Sequence, residues 1–160
     1  MKILVAYFTG TGVTARAAKT LAAAADAQLY EIRPAVPYVR ADLNYMNKHA
    51  RTTVEMADKS CRPEMADQNA PVANTEVVCI GFPIWWYREP SIIDTFLEAY
   101  DFSGKTVLPF FTSGGSDLGE GQERIEQLAK GARVMPGKRF RGSSPEREFL
   151  DWLSEMGIGS

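Results

Sequence analysis

Three short segments bring together residues that can do chemistry. Thr9-Gly10-Thr11-Gly12-Val13-Thr14 combines two glycines, which let backbone N–H groups approach an anion, with three threonine hydroxyls as further donors. An apolar run before it and a helical pattern after it add the partial positive charge of a helix N-terminus. No Lys or Arg lies between residues 8 and 15, so dipoles and hydroxyls would hold the anion, and Arg16 faces solvent by default. Pro83-Ile84-Trp85-Trp86-Tyr87-Arg88-Glu89-Pro90 carries three aromatics in succession, and Thr112-Ser113-Gly114-Gly115-Ser116 is a second glycine and hydroxyl turn. An anion loop beside an aromatic wall and a polar turn suits a flat, phosphorylated heteroaromatic such as flavin mononucleotide (FMN). Adjacent tryptophans on an extended segment point opposite ways, so one of the pair is free to stack on a ligand while the other packs inward.

Rival chemistries are weaker. Gly10-Thr11-Gly12-Val13-Thr14-Ala15 also matches the GxGxxA of dinucleotide folds, with Glu31 about 20 residues on, which leaves a nucleotide-binding module without redox chemistry open. A plain helix-capping turn is the blander alternative. No Gly-Lys-Ser/Thr occurs, so a Walker loop is excluded. His49 is the only histidine and sits in a polar stretch, which supports neither a histidine metal site nor a serine–histidine–acid triad. Gly114-Gly115-Ser116-Asp117-Leu118 misses the GxSxG elbow at its last position. Cys61 and Cys79 form no CxxC; Cys79 reads as a small buried hydrophobe in a strand.

The elements that must position these loops alternate strand and helix. Strands are expected at Lys2–Phe8, Gln28–Arg33, Glu76–Gly81, Thr106–Thr112 and, weakly, within Arg133–Phe140. Helices are expected at Thr14–Ala27, Ser91–Tyr100, Gly119–Gly131 and Ser144–Met156, the last with Ser144 as N-cap and Pro145 at the first helical position. Residues 35–70 form a long polar excursion with one helical stretch near Thr52–Lys59; Arg51, Glu55 and Arg62 either fold it over the site or pair on the surface. Gly157-Ile158-Gly159-Ser160 reads as a frayed end or an appended tail. Five strands alternating with helices imply a parallel sheet covered on both faces, an α/β fold whose ligands bind outside the carboxyl ends of the strands. The three loops follow strands one, three and four.

Composition agrees. A chain of 160 residues, 45% hydrophobic and 24% charged, suits one globular domain over residues 1–160. No apolar run approaches the ~20 residues of a membrane span, and no signal peptide precedes the first strand. Two cysteines without a framework suit a reducing cytoplasm. A net charge of −2 argues against nucleic-acid binding, and Lys130, Arg133, Lys138, Arg139 and Arg141 read as a solvated basic run.

The sequence resembles the flavodoxin family. Val5-Ala6-Tyr7-Phe8-Thr9-Gly10-Thr11-Gly12-Val13-Thr14 is similar to its phosphate loop, with Ala6 where a larger apolar residue is usual. Gly81-Phe82-Pro83-Ile84-Trp85-Trp86, Tyr100-Asp101-Phe102-Ser103-Gly104-Lys105-Thr106, Phe110-Phe111-Thr112-Ser113-Gly114-Gly115-Ser116, and Pro37-Tyr38 with Asp42-Leu43 resemble a short-chain subgroup with a Pro-Ile-Trp-Trp flavin loop. The resemblance implies a three-layer α/β/α sandwich with a five-stranded parallel sheet of order 2-1-3-4-5, holding one non-covalent FMN. By position, Thr9, Gly10, Thr11, Gly12, Val13 and Thr14 would hold the phosphate. Pro83, Ile84, Trp85, Trp86 and Tyr87 would line the ribityl chain and ring, and Thr112, Ser113, Gly114 and Gly115 the other ring edge.

Two departures bear on function. Tyr87 stands where the subgroup has glycine, whose freedom to flip favours the one-electron-reduced flavin. Thr112–Leu118 lacks the aromatic of classical flavodoxins, which opens one ring face. Residues 88–101 and 117–126 each hold four carboxylates against one arginine, and an acidic rim of that kind steers basic redox partners. The expected function is electron transfer between protein partners in the cytoplasm. The alternative is an NAD(P)H- or quinone-dependent FMN reductase.

Overall fold

The computed structural model describes residues 1–159; Ser160, the end of the segment read as a tail, lies outside the described residues. Strand β1 spans Ile3–Tyr7, helix α1 Val13–Ala25 and strand β2 Gln28–Glu31. The excursion follows, with a 3-10 turn at Arg40–Leu43, helix α2 at Arg51–Ala57 and a second 3-10 turn at Val72–Asn74. Then come β3 (Val77–Pro83), α3 (Ser91–Ala99), β4 (Thr106–Thr112), α4 (Gly121–Leu128), β5 (Arg133–Val134), β6 (Lys138–Phe140) and α5 (Glu146–Glu155).

All strand pairs are parallel, in the order β2-β1-β3-β4-β5, with β6 also beside β4. This is the flavodoxin-like α/β fold. Alternate residues of each strand serve opposite faces, so Leu4, Ala6, Val78, Ile80 and Phe82 build one core with Ile92, Phe96 and Ile125. Val5, Tyr7, Cys79, Leu108 and Phe110 build the other with α1, Phe149 and Trp152. Burial on both faces explains why the strands read as continuous apolar runs rather than alternating ones.

The expected last strand is two pieces sharing the fifth position, because Pro136 has no N–H for the ladder. Gln122 of α4 spans the break: its side-chain oxygen accepts from Gly137 N at 2.8 Å and its amide donates to the Met135 carbonyl at 3.1 Å. The second strand stops at Glu31 rather than Arg33. The expected cap of the last helix is also corrected. Pro145 is the N-cap, and the Ser144 hydroxyl instead accepts from Arg141 N at 2.9 Å, closing the turn before the helix. No helix among the described residues is long and apolar enough to cross a membrane.

Candidate functional site

At the carboxyl ends of β1, β3 and β4 the three loops meet around one cavity of about 820 Å³. The first loop is organised by its own side chains. Thr9 Oγ1 accepts from Gly12 N at 2.9 Å, and Gly12, at φ 98°, turns the chain into α1. The remaining first-turn amides have no acceptor within the helix, so they are free for an anion. Thr14 is buried, and its hydroxyl shares a 2.7 Å hydrogen bond with the Thr112 hydroxyl, tying the first loop to the third. Ile84 N donates to the Thr112 carbonyl at 3.1 Å, tying the second loop to the third as well.

Trp85 and Trp86 both line the cavity, because Trp86 sits in left-handed backbone at φ 47° rather than on the extended segment that would turn the two rings opposite ways. Trp85 packs edge-on against Phe8 and Tyr38, with ring centroids 5.3 and 5.4 Å away. A Cβ at Gly10 would stand 3.0 Å from the Trp85 ring, so glycine there lets the wall close on the loop. Trp86 and Tyr87 form the tip of a two-residue hairpin in which Trp85 and Arg88 exchange backbone hydrogen bonds of 3.0 and 3.2 Å. Tyr87 is 77% exposed at the cavity mouth.

Twelve of the fifteen residues expected from sequence line this cavity: Gly10, Thr11, Val13, Thr14, Pro83, Ile84, Trp85, Trp86, Tyr87, Thr112, Ser113 and Gly114. Thr9, Gly12 and Gly115 shape the turns behind the lining; Gly115 N donates to Ser113 Oγ at 3.3 Å. Glu31, which the dinucleotide alternative requires, is exposed at the end of β2 and does not line the cavity.

Beyond those fifteen, the lining includes Leu43 and Ser116, whose segments the sequence singled out without giving them a ligand role, and residues that sequence reasoning missed: Tyr45 and Thr52 of the excursion, and Phe140, Arg141 and Gly142 at the end of β6. The excursion is held in place by Arg51, which bonds Glu55 at 3.1 Å and the Val36 carbonyl at 2.7 Å while its guanidinium lies 3.9 Å over the Tyr38 ring. Tyr38 donates to Glu55, and burial with that carboxylate pushes its phenol well above the ordinary range. Thr52 donates to the Asp42 carbonyl. Arg141 is the one ionised side chain on the cavity wall among the described residues, and it also pairs with Glu148 at 3.2 Å. The rule that pointed to the other loops, the carboxyl end of a strand, would have found Arg141 had β6 been recognised.

The acidic rim is corrected. Glu89 and Asp94 are fully buried, not at the surface, because Arg88 and Arg124 enter the interior with them. Glu98 pairs with Arg62 and Glu120 with Lys59, while Asp101, Asp117, Glu123 and Glu126 are exposed, Asp117 just after the third loop.

The arrangement fits FMN on the cavity's own features. It offers free amides and hydroxyls for a phosphate, the glycine that admits Trp85, an aromatic wall for a flat ring, and a volume typical of cofactor sites.

Comparison with known proteins places the site in context. No curated protein sequence matches the chain. A flavoprotein candidate from Bacteroides eggerthii is 42% identical, with a TM-score of 0.93 over 99% of both chains. One from Bacteroides uniformis is also 42% identical, with a TM-score of 0.89 over 96% of this chain and 97% of that one. A flavoprotein from Lactobacillus acidophilus, solved in complex with FMN, shares the fold at 21% identity and a TM-score of 0.71, over 96% and 98% of the chains. The flavodoxin family model matches residues 2–156, nearly the whole chain and all three loops of the site. With this fold and that match, the chain belongs to the flavodoxin family.

Proposed function

We propose that the protein binds one FMN in this cavity and carries electrons between redox partner proteins. The observation that carries the reading is the character of the lining. Hydroxyls, glycine backbone, aromatics and one arginine are present, while no carboxylate, histidine, lysine or thiol lines the wall among the described residues. Such a site binds and orients; when bound, FMN supplies the redox chemistry. The first-turn amides of α1, with the Thr11 hydroxyl, would hold the phosphate, and the aromatic residues of the Trp85–Arg88 hairpin would line the ring. The Lactobacillus acidophilus complex supports FMN as the ligand. Partners with basic docking surfaces are favoured by the exposed Asp117 just after the third loop, on a weaker electrostatic footing than a full acidic rim would give. We assign the protein to the cytoplasm, a reading supported by a sequence with only two cysteines, Cys61 and Cys79, and no disulfide framework.

A second reading, an FMN reductase for NAD(P)H, quinones or other small acceptors, draws on two features. Tyr45 of the excursion lines the same cavity, and no aromatic side chain stands at Thr112–Leu118 to close the far side.

The deciding experiment is an absorbance spectrum of the purified protein before and after FMN addition, followed by stepwise reduction. Electron carriage predicts a yellow protein reduced in two resolved steps that shows no steady-state turnover with NAD(P)H and quinones. Rapid turnover with those substrates and one concerted bleaching overturn carriage in favour of the reductase. If FMN neither binds nor quenches tryptophan fluorescence, both readings fall.

A further inference from the structure

Directly after the Trp85–Arg88 hairpin the chain buries a charged corner that the site's chemistry does not use. Glu89 and Asp94 are both fully buried and are held by the same Arg124 guanidinium. Their four carboxylate oxygens receive two N–H bonds, both from Arg124: Nε to Glu89 Oε2 at 3.0 Å and Nη2 to Asp94 Oδ2. Arg88, equally buried, does not supply the rest. Its Nη1 donates to the Glu89 backbone carbonyl at 3.0 Å, and its Nη2 donates to the Met56 carbonyl and the Ser91 hydroxyl, each at 3.3 Å. The nearest approach of its guanidinium to either carboxylate is 3.5 Å. Arg62 comes within 3.8 Å of Asp94 but bonds Glu98. Glu89 Oε1 and Asp94 Oδ1 are left buried with no partner.

Two ionised carboxylates this close and this short of donors repel each other and lose their hydration. A proton on Glu89 supplies the missing donor. We propose that Glu89 and Asp94 share one proton, and that this proton fixes the Trp85–Arg88 hairpin and so makes FMN affinity depend on pH. The dependence on FMN rests on the function proposed above; the shared proton does not. The link to the hairpin is Arg88, whose backbone closes the turn and whose side chain joins the corner to α2 through Met56. The groups facing the pair are Arg88 of the hairpin, Ser91 at the start of α3 and Glu98 further along it, Glu120 just before α4 and Arg124 within it, and Lys59, Cys61 and Arg62 of the segment after α2. Burial first, and then Asp94, push the Glu89 carboxyl up to about 8. The proton is therefore held at neutral pH and leaves to solvent, past the partly exposed Arg124, as pH rises through that value.

The test titrates tryptophan fluorescence of the FMN-free protein from about pH 6.5 to about pH 9.5, then repeats the series as an FMN affinity measurement, for the wild type and Glu89→Gln. Glutamine keeps the shape and the donor but cannot ionise. Trp85 and Trp86 report the hairpin, while Trp152 lies in the opposite core. The wild type should show a fluorescence transition near pH 8 and an FMN Kd that rises about tenfold across the range; Glu89→Gln should show neither and keep the low-pH Kd. The same transition in both proteins overturns the proposal. Should Glu89→Gln fail to fold, Asp94→Asn removes the partner that raises Glu89, and its transition should move to lower pH; an unmoved transition is again fatal. A protein that shows the fluorescence transition but binds no FMN at any pH refutes the proposed function and leaves the shared proton standing.

Discussion

Trp86 and Tyr87 sit in left-handed backbone, at φ 47° and 67°, as both central residues of a two-residue hairpin loop that closes between Trp85 and Arg88. That geometry favours Asn-Gly, because a side chain there costs about 1–2 kcal/mol per residue. The conformation persists because the residues on either side are held. Trp85 is wedged between Phe8 and Tyr38, and Arg88 is bonded to Met56 and Ser91. The Tyr87 ring, 77% exposed, returns little packing energy for the strain it imposes. Tyr87→Gly should therefore stabilise the FMN-free protein. Relief of about 1–2 kcal/mol, less about 0.5–1 kcal/mol for the freer unfolded chain, leaves a net gain of about 0.5–1 kcal/mol. Urea unfolding at neutral pH measures it directly, with Tyr87→Ala as the control that keeps the Cβ and gains nothing. A loss of stability in the glycine variant would mean that the exposed ring contributes more than the strain costs. The sequence marks Tyr87 as a departure from glycine, yet its backbone conformation comes from anchors at residues 8, 38 and 56, distant in the chain.

At the scale of the elements, β3 and β4 form the spine that presents the second and third loops, and their register turns on one small residue. Gly81 lies opposite Phe110, whose ring crosses the space where a side chain would stand; a Cβ there would be 2.2 Å from Cζ. Phe110 is in turn fixed by edge-on contacts with Phe140 and Trp152, so it has no free direction to move. Gly81→Ala should overpack this core by about 3 kcal/mol and lower the Tm by about 10 °C, read by thermal unfolding. Elements of this kind were legible in the sequence. Thr106–Thr112 and the start of α3 at Ser91 fall where expected, because apolar runs and helical spacing reflect burial on both sheet faces. The end of the sheet was not legible. Pro136 and the Gln122 bridge split one weak strand in two, and with β6 unrecognised Arg141 looked like one more surface charge. The excursion resisted for a related reason. Its order comes from Arg51, Tyr38 with Glu55, and Thr52 bonding residues up to seventeen positions away, contacts that leave no period to read.

For the molecule as a whole, a net charge of −2 conceals an uneven arrangement, in which Arg88, Glu89, Asp94 and Arg124 are gathered in one buried corner while Arg141 stands on the cavity wall. Linear charge counting put Glu89 and Asp94 on the rim, because it has no way to pair them with an arginine thirty residues on. The cavity draws on segments from residue 10 to residue 142, so a ligand that fills it braces the first loop, the excursion, the hairpin and the β6 end together. A ligand that binds only the folded state adds about 2.7 kcal/mol at a hundredfold excess over its Kd. In a 160-residue chain that should raise the Tm by about 5–10 °C on addition of FMN. Riboflavin offers the same ring without the phosphate. It leaves the amides at the start of α1 and the Thr11 hydroxyl without their anion, so at equal concentration its shift should be smaller by several degrees. Differential scanning fluorimetry of the flavin-free protein against both ligands compares them in one experiment. Equal shifts would mean that the glycine and threonine loop does not read the phosphate and that ring stacking alone carries the affinity.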